Sequence, residues 1–229
     1  MRALPAVVLL LALPALARAH DLWVEPGADG FLLRYGHRGH EALPIDPARV
    51  KAIRCVEPGA APRDFRAVAA FARAEVRIPA RCAVVSAAAD LGFFVLTPDG
   101  EKNVPRTQAP DAVRSWASRQ YAKWADARSP VAAAPVGDEL EVVPASDLGK
   151  VKVGDKYAVR VLAGGKPAVG AVVAVAHRVL GETDREGILR IRVHEGGVQS
   201  IDASLKRPLQ APEAETLVLE ASLTFEVAR

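Results

Sequence analysis

AGGKPAVGAVVAVAHRVLGETDREGILRIRV, residues 163–193, decides the fold. Gly164-Gly165 marks a hairpin, the Val- and Ala-rich run after it reads as a long strand, and TDREG (183–187) turns the chain into another strand. Short apolar runs bounded by Gly, Pro and Asp are how a chain writes the strands of a sandwich. Working outward, strand candidates recur at 140–143, 156–162, 168–176, 188–193, 198–205 and 216–227. The first half repeats the pattern at 22–25, 31–35, 50–56, 74–78, 82–86 and 91–97, with TPDG (97–100) suited to a tight turn. Asp46-Pro47 reads as an N-cap followed by Pro at a first helical position, a structural role and not a ligand. The expectation is an all-β chain of two Ig-like β-sandwich domains.

Two stretches depart from that pattern. In APDAVRSWASRQYAKWADARSP (109–130), Val113, Trp116, Gln120, Tyr121 and Trp124 approximate a helical stripe, with Asp111 as its cap. Alternation of Trp116, Ser118 and Gln120 fits a strand equally well, so both readings of this connecting segment stand. Its two tryptophans read as packing against a neighbouring domain. SPVAAAPVGD (129–138) is rich in Ala and Pro, lacks periodicity and reads as a linker. The expected division is a leader over 1–19, an N-terminal β domain over 20–128, the linker over 129–138, and a C-terminal Ig-like domain over 139–229.

The leader begins with Met1-Arg2, runs apolar over 4–17 and ends in Ala17-Arg18-Ala19, a small-x-small cleavage pattern. It is shorter than the roughly 20 apolar residues a membrane span needs, and no later segment qualifies, so the expectation is a periplasmic protein without a stable membrane anchor. Cleavage after Ala19 makes His20 the new N-terminus. It also removes Arg2 and Arg18 and no acid, leaving 28 basic against 27 acidic groups, where the whole chain carries +3. So even a balance gives no electrostatic case for nucleic acid. Cys55 and Cys82 sit in strand-like runs and, in an oxidising compartment, are expected to form a disulfide contributing roughly 3 kcal/mol.

The candidate chemistry lies in the histidines. His37 and His40 form an HxxH in RYGHRGHE, followed by Glu41. If 22–25 and 31–35 pair about a turn over 26–30, Glu25 lies opposite Phe31, and His20 falls near Gly36 and His37 on a strand about 5 Å away. An N-terminal His can chelate through its α-amine, whose pKa is near 7.7, and its ring nitrogen. Two imidazoles from the loop complete a nitrogen-rich set, with Glu41 or Asp21 as an oxygen ligand or supporting partner. These donors suit Ni(II), Co(II), Cu(II) and Zn(II). His177 and His194 read as solvated histidines at strand ends. No nucleophile elbow, P-loop or HExxH is present, and no catalytic residue is assigned.

Several of these stretches also carry resemblances. The GKP, Val/Ala-rich strand and TDxxG turn of 165–187 resemble bacterial Ig-like and carboxypeptidase-regulatory-like modules. A start of HDLWVE, then YGHRGHEALPIDPARVKAI, GFFVLTPDGEKNVPR and SRQYAKW, resembles the NikK-like periplasmic proteins that accompany nickel/cobalt ECF-type transporters. That resemblance implies a two-part β-sandwich that captures Ni(II) or Co(II) as cargo for a membrane importer, with His20, His37 and His40 as ligands. The rival readings are an extracytoplasmic adhesion module with incidental histidines and a copper His-brace oxidase.

Overall fold

The computed structural model describes residues 20–40 and 42–228; the expected leader, its cleavage point and the candidate ligand Glu41 lie outside the described residues. The first half folds as β1 (Asp21–Gly27), β2 (Gly30–Gly36), β3 (Ala42–Leu43), β4 (Val50–Val56), β5 (Arg63–Asp64), β6 (Ala70–Phe71) and β7 (Val76–Ile78). Then come the long β8 (Val84–Thr97), β9 (Gly100–Lys102) and β10 (Arg114–Ala125). The second half supplies β11 (Leu140–Pro144), β12 (Lys156–Ala163), β13 (Lys166–Pro167), β14 (Val172–Val175) and β15 (Arg178–Glu182). It ends with β16 (Ile188–Arg192), β17 (Gly197–Ala211) and β18 (Ala214–Val227). Helix among the described residues is limited to short 3₁₀ segments at Arg106–Gln108 and Leu148–Lys150. The chain is all-β.

Two sheets stack on a central third. The nine-stranded sheet runs β15-β14-β17-β18-β10-β8-β4-β5, with β9 beside β8. A five-stranded sheet built on β1-β2-β7-β6 covers one face, and the four-stranded β11, β12, β13 and β16 cover the other. β8 shows why this works. Its Val84 and Ala88 enter one core, while Val85, Ala87 and Ala89 enter the other. Small side chains on both faces let three layers approach closely, and a strand buried on both faces reads as an unbroken apolar run. Tyr157 and Phe225 meet edge to face in the first core; Phe31 packs on Trp124 in the second.

Several expectations are corrected. The stretch whose spacing admits a helix is strand β10, parallel to β18 and antiparallel to β8. Its helical stripe is a coincidence of a strand buried on both faces, Tyr121 toward one core and Ala122 toward the other. The β1–β2 register is one residue from that expected, Pro26 opposite Phe31, because the connection is the two-residue Ala28-Asp29 turn. The expected strands at 82–86 and 91–97 are one strand, β8. It holds an extra residue where Ser118 opposes Gly92 and Arg119 opposes Asp90, a bulge that Gly92 enters at φ +82°. Asp46 caps a turn and no helix follows, its Oδ1 accepting from Ala48 N at 2.8 Å.

Residues 129–138 contain no strand, and residues on either side of them share the central sheet through β10 and β18. The segment is pinned inside: Glu141 accepts from the amides of Val136 and Gly137 and pairs with Lys123, both side chains being 3% exposed. Cys55 and Cys82 are bonded, tying β4 to the approach to β8. No helix among the described residues is long and apolar enough to cross a membrane.

Candidate metal centre

β1 crosses the polar face of the central sheet, and two side chains of that sheet hold it by its carbonyls. Gln120 Nε2 donates to the His20 carbonyl at 2.6 Å, and Ser222 Oγ donates to that of Leu22 at 2.7 Å. His20 is thereby fixed where β2 ends. The chain leaves β2 at Gly36 and turns at 37–40, with His40 N donating to the His37 carbonyl at 3.1 Å and Gly39 at φ +80°. Between the two turn histidines, Arg38 is drawn inward. Its guanidinium lies 5.2 Å from the Trp23 ring and donates to Thr224 Oγ1 at 3.3 Å. With Arg38 directed inward, His37 lies against His20 and His40 lies beside His37.

The His20 and His37 ring centroids are 4.7 Å apart, and those of His37 and His40 are 6.4 Å apart. Tyr35 stands 5.5 Å from His20, its hydroxyl pushed up to about 12 by burial. The structure thus brings together the three histidines that the sequence proposed. It adds a fourth, which the sequence reading placed in solvent. His177, from the β14–β15 hairpin, lies 6.3 Å from His37, and its Nδ1 is 3.5 Å from Asp21 Oδ2. Ala176 and His177 form the turn at φ +48° and +62°, a left-handed conformation uncommon outside Gly and unfavourable above all for Ala176. Backbone strain of this kind concentrates at functional sites. His194 is exposed after β16, and no ring contact joins it to the cluster among the described residues.

Beside the imidazoles the sheet carries buried carboxylates. Asp21 is held above its ordinary range by burial, against the pull of His177, Arg38, His37 and His20. Burial also pushes Asp202 to about 6 and Glu220 to about 7. Removing water from a carboxylate disfavours its charged form, and a nearby cation reverses that. The region therefore favours positive charge.

As a donor set, four imidazoles with an adjacent carboxylate fit a divalent transition metal, and Asp21 stands to His177 as the outer partner that orients a ligating ring. The rings are gathered without being closed. Among the described residues, the one group of three donor atoms lying within 4.8 Å of one another is Cys55, Glu57 and Cys82. Two of those are spent on the disulfide, so that group is no site.

A family model described as a domain of unknown function, DUF4198, matches residues 17–207. No curated protein and no solved structure matches the chain.

Proposed function

The chain belongs to the DUF4198 family, whose members share a domain of unknown function, and we propose, from its histidine cluster together with its resemblance to NikK-like periplasmic proteins, that it captures Ni(II) or Co(II) outside the cytoplasm and delivers it to a membrane importer of the nickel/cobalt ECF type. The observation that carries this reading is the meeting of His20, His37, His40 and His177 at one end of the β1–β2 hairpin. Nothing in either hydrophobic core requires four imidazoles there. The disulfide supports an oxidising compartment. The location supports a carrier: the ligands lie on a turn, a hairpin tip and the start of β1, where a partner can reach a bound ion.

His20 and His37 are the half-buried anchors, and the exposed His40 and His177 are the residues that can release the ion. Processing before His20 adds its α-amine to the set. Glu41 follows the HxxH and supplies an oxygen donor or an outer partner in the same reading. Imidazole and amine donors also take Cu(II) and Zn(II), so selectivity belongs in the test.

Calorimetric titration of Ni(II), Co(II), Cu(II) and Zn(II) into the exported, N-terminally sequenced protein tests this. A control carries one extra residue before His20, which separates the amine from the imidazole. Tight Ni(II) or Co(II) binding that weakens at least about tenfold in the control, roughly 1.4 kcal/mol, supports the terminal chelate. Absence of binding by any of the four metals overturns the reading in favour of an adhesion module.

A further inference from the structure

Behind His177 lies a cleft of about 340 Å³ between β1 and the β14–β15 hairpin. It is far larger than one ion needs, since a water molecule occupies about 30 Å³, and it reaches the size of small-molecule sites, which begin near 300 Å³. Sheet register builds its floor. Val172, Ser204, Glu220 and Gln120 are successive cross-strand neighbours on β14, β17, β18 and β10. The next row is Ala174, Asp202, Ser222 and Ala122. The opposite faces of these strands supply Val173, Ala203 and Ala221 to the core, so the polar rows point into the cleft. Val179 and His177 close its outer side, and Asp21 closes it under β1.

The cleft presents acceptors. Gln120 is 3% exposed, and both protons of its amide nitrogen are engaged, by the His20 carbonyl and by Glu220 Oε2 at 2.7 Å. Its Oε1 accepts no hydrogen bond from the protein, nor does Asp202 Oδ1, and Asp21 Oδ2 has only the longer 3.5 Å approach of His177 Nδ1. Buried acceptors are matched by N–H donors, and the three carboxylates Asp21, Asp202 and Glu220, with Arg38 4.0 Å from Asp202 and Lys206 acting on Glu220 from outside the lining, suit a positive partner in the cleft. A metal-bound amine meets both demands. It keeps N–H groups to donate after its nitrogen has given its lone pair to the metal, and the complex it forms is cationic.

Building on the proposed metal site, we infer that the cleft holds an amino-acid-sized chelating amine, and that the cargo is taken up as the complex of the metal with that amine. The amine's nitrogens fill coordination positions on the ion beside His177, while its N–H groups face Gln120, Asp202 and Asp21. Loss of one proton from an ammonium form to solvent frees the lone pair for the metal. The histidines grip the ion, and the cleft reads what accompanies it.

The test is equilibrium dialysis of the N-terminally sequenced protein against NiCl₂, against L-histidine, and against both together, followed by native mass spectrometry. We expect L-histidine to be retained on the protein only when nickel is present. Ala174→Phe fills the cleft from β14 and replaces none of the histidines, and Ser204→Leu does so from β17 should the first variant not fold. Either is expected to hold nickel from NiCl₂ as the parent does while retaining at least about tenfold less L-histidine. A parent protein that holds nickel and never the amino acid overturns the inference and leaves the metal site standing. So does L-histidine retained equally by the parent and the filled variant, or retained equally without nickel. A parent that holds nickel in neither condition overturns the metal site and the inference with it.

Discussion

His177 stands in a two-residue hairpin turn that suits Asn-Gly far better than Ala-His, because both central residues need positive φ. Replacing Ala176-His177 by Asn-Gly should therefore preserve or raise stability while removing one imidazole. Nickel affinity is expected to fall by at least about tenfold, against an unchanged or higher Tm; equal affinity would show that His177 only decorates the rim. A second residue carries a pH signature away from the metal centre. Burial pushes Asp138 from its ordinary 3.8 to about 6 although it accepts from Arg54 at 2.6 Å. Native Asp138 then keeps its proton through a window in which the unfolded chain has lost it, so its contribution to stability falls as pH rises from about 4 to 6. The shift sets an upper bound of about 3 kcal/mol. Denaturant titrations across that window should show a shallower decline in Asp138→Asn; an unchanged slope would mean that the carboxyl is ionised throughout. Of the cluster, His20, His37 and His40 were legible, because neighbours in sequence meet across a hairpin. His177 was not, since its place depends on sheet pairing far along the chain and its turn carries no Gly or Asn to announce it.

Among the elements, β4 (Val50–Val56) was readable to the residue from its β-branched run, and most second-half strands lay within a few residues of their expected limits. β8 and β10 were harder for one physical reason. A strand buried on both faces loses the period-two alternation that identifies it, and β10 keeps Trp116, Gln120 and Trp124 at four-residue spacing with Tyr121 beside them, enough to imitate a helix. The short β3, β5, β6 and β9 carry two or three residues each and have no pattern of their own to read. β5 to β7 lie within the loop of 27 residues closed by Cys55 and Cys82, and the bond limits the freedom of that loop in the unfolded chain. The paired Cys55→Ala, Cys82→Ala variant should lose about 3 kcal/mol and about 10 °C in Tm, read by calorimetry. A loss too small to measure would mean that β5 to β7 are held by their packing alone.

At the scale of the whole molecule, the composition and turn signals made an all-β sandwich legible, while the way its layers are shared was not. Parallel pairing of β10 with β18 joins residues on both sides of the 129–138 segment in one sheet, and no local pattern encodes a partner about a hundred residues away. Expressed alone, 139–229 would leave β18 without that neighbour and Leu217, Leu219 and Ala221 partly uncovered. We expect it to show no cooperative thermal transition by circular dichroism, whereas a sharp one would establish two independent folding units. The same pairing sets the function proposed here. β1 lies across the shared sheet, held by Gln120 and Ser222, and so the start of β1, the HxxH turn and the β14–β15 hairpin converge. X-ray absorption at the nickel edge of the nickel-loaded, N-terminally sequenced protein tests that convergence most directly. The account predicts a nitrogen- and oxygen-only first shell with the multiple-scattering signature of several imidazoles, reduced when Ala176-His177 is replaced by Asn-Gly. A shell of oxygen donors without imidazole scattering would contradict it.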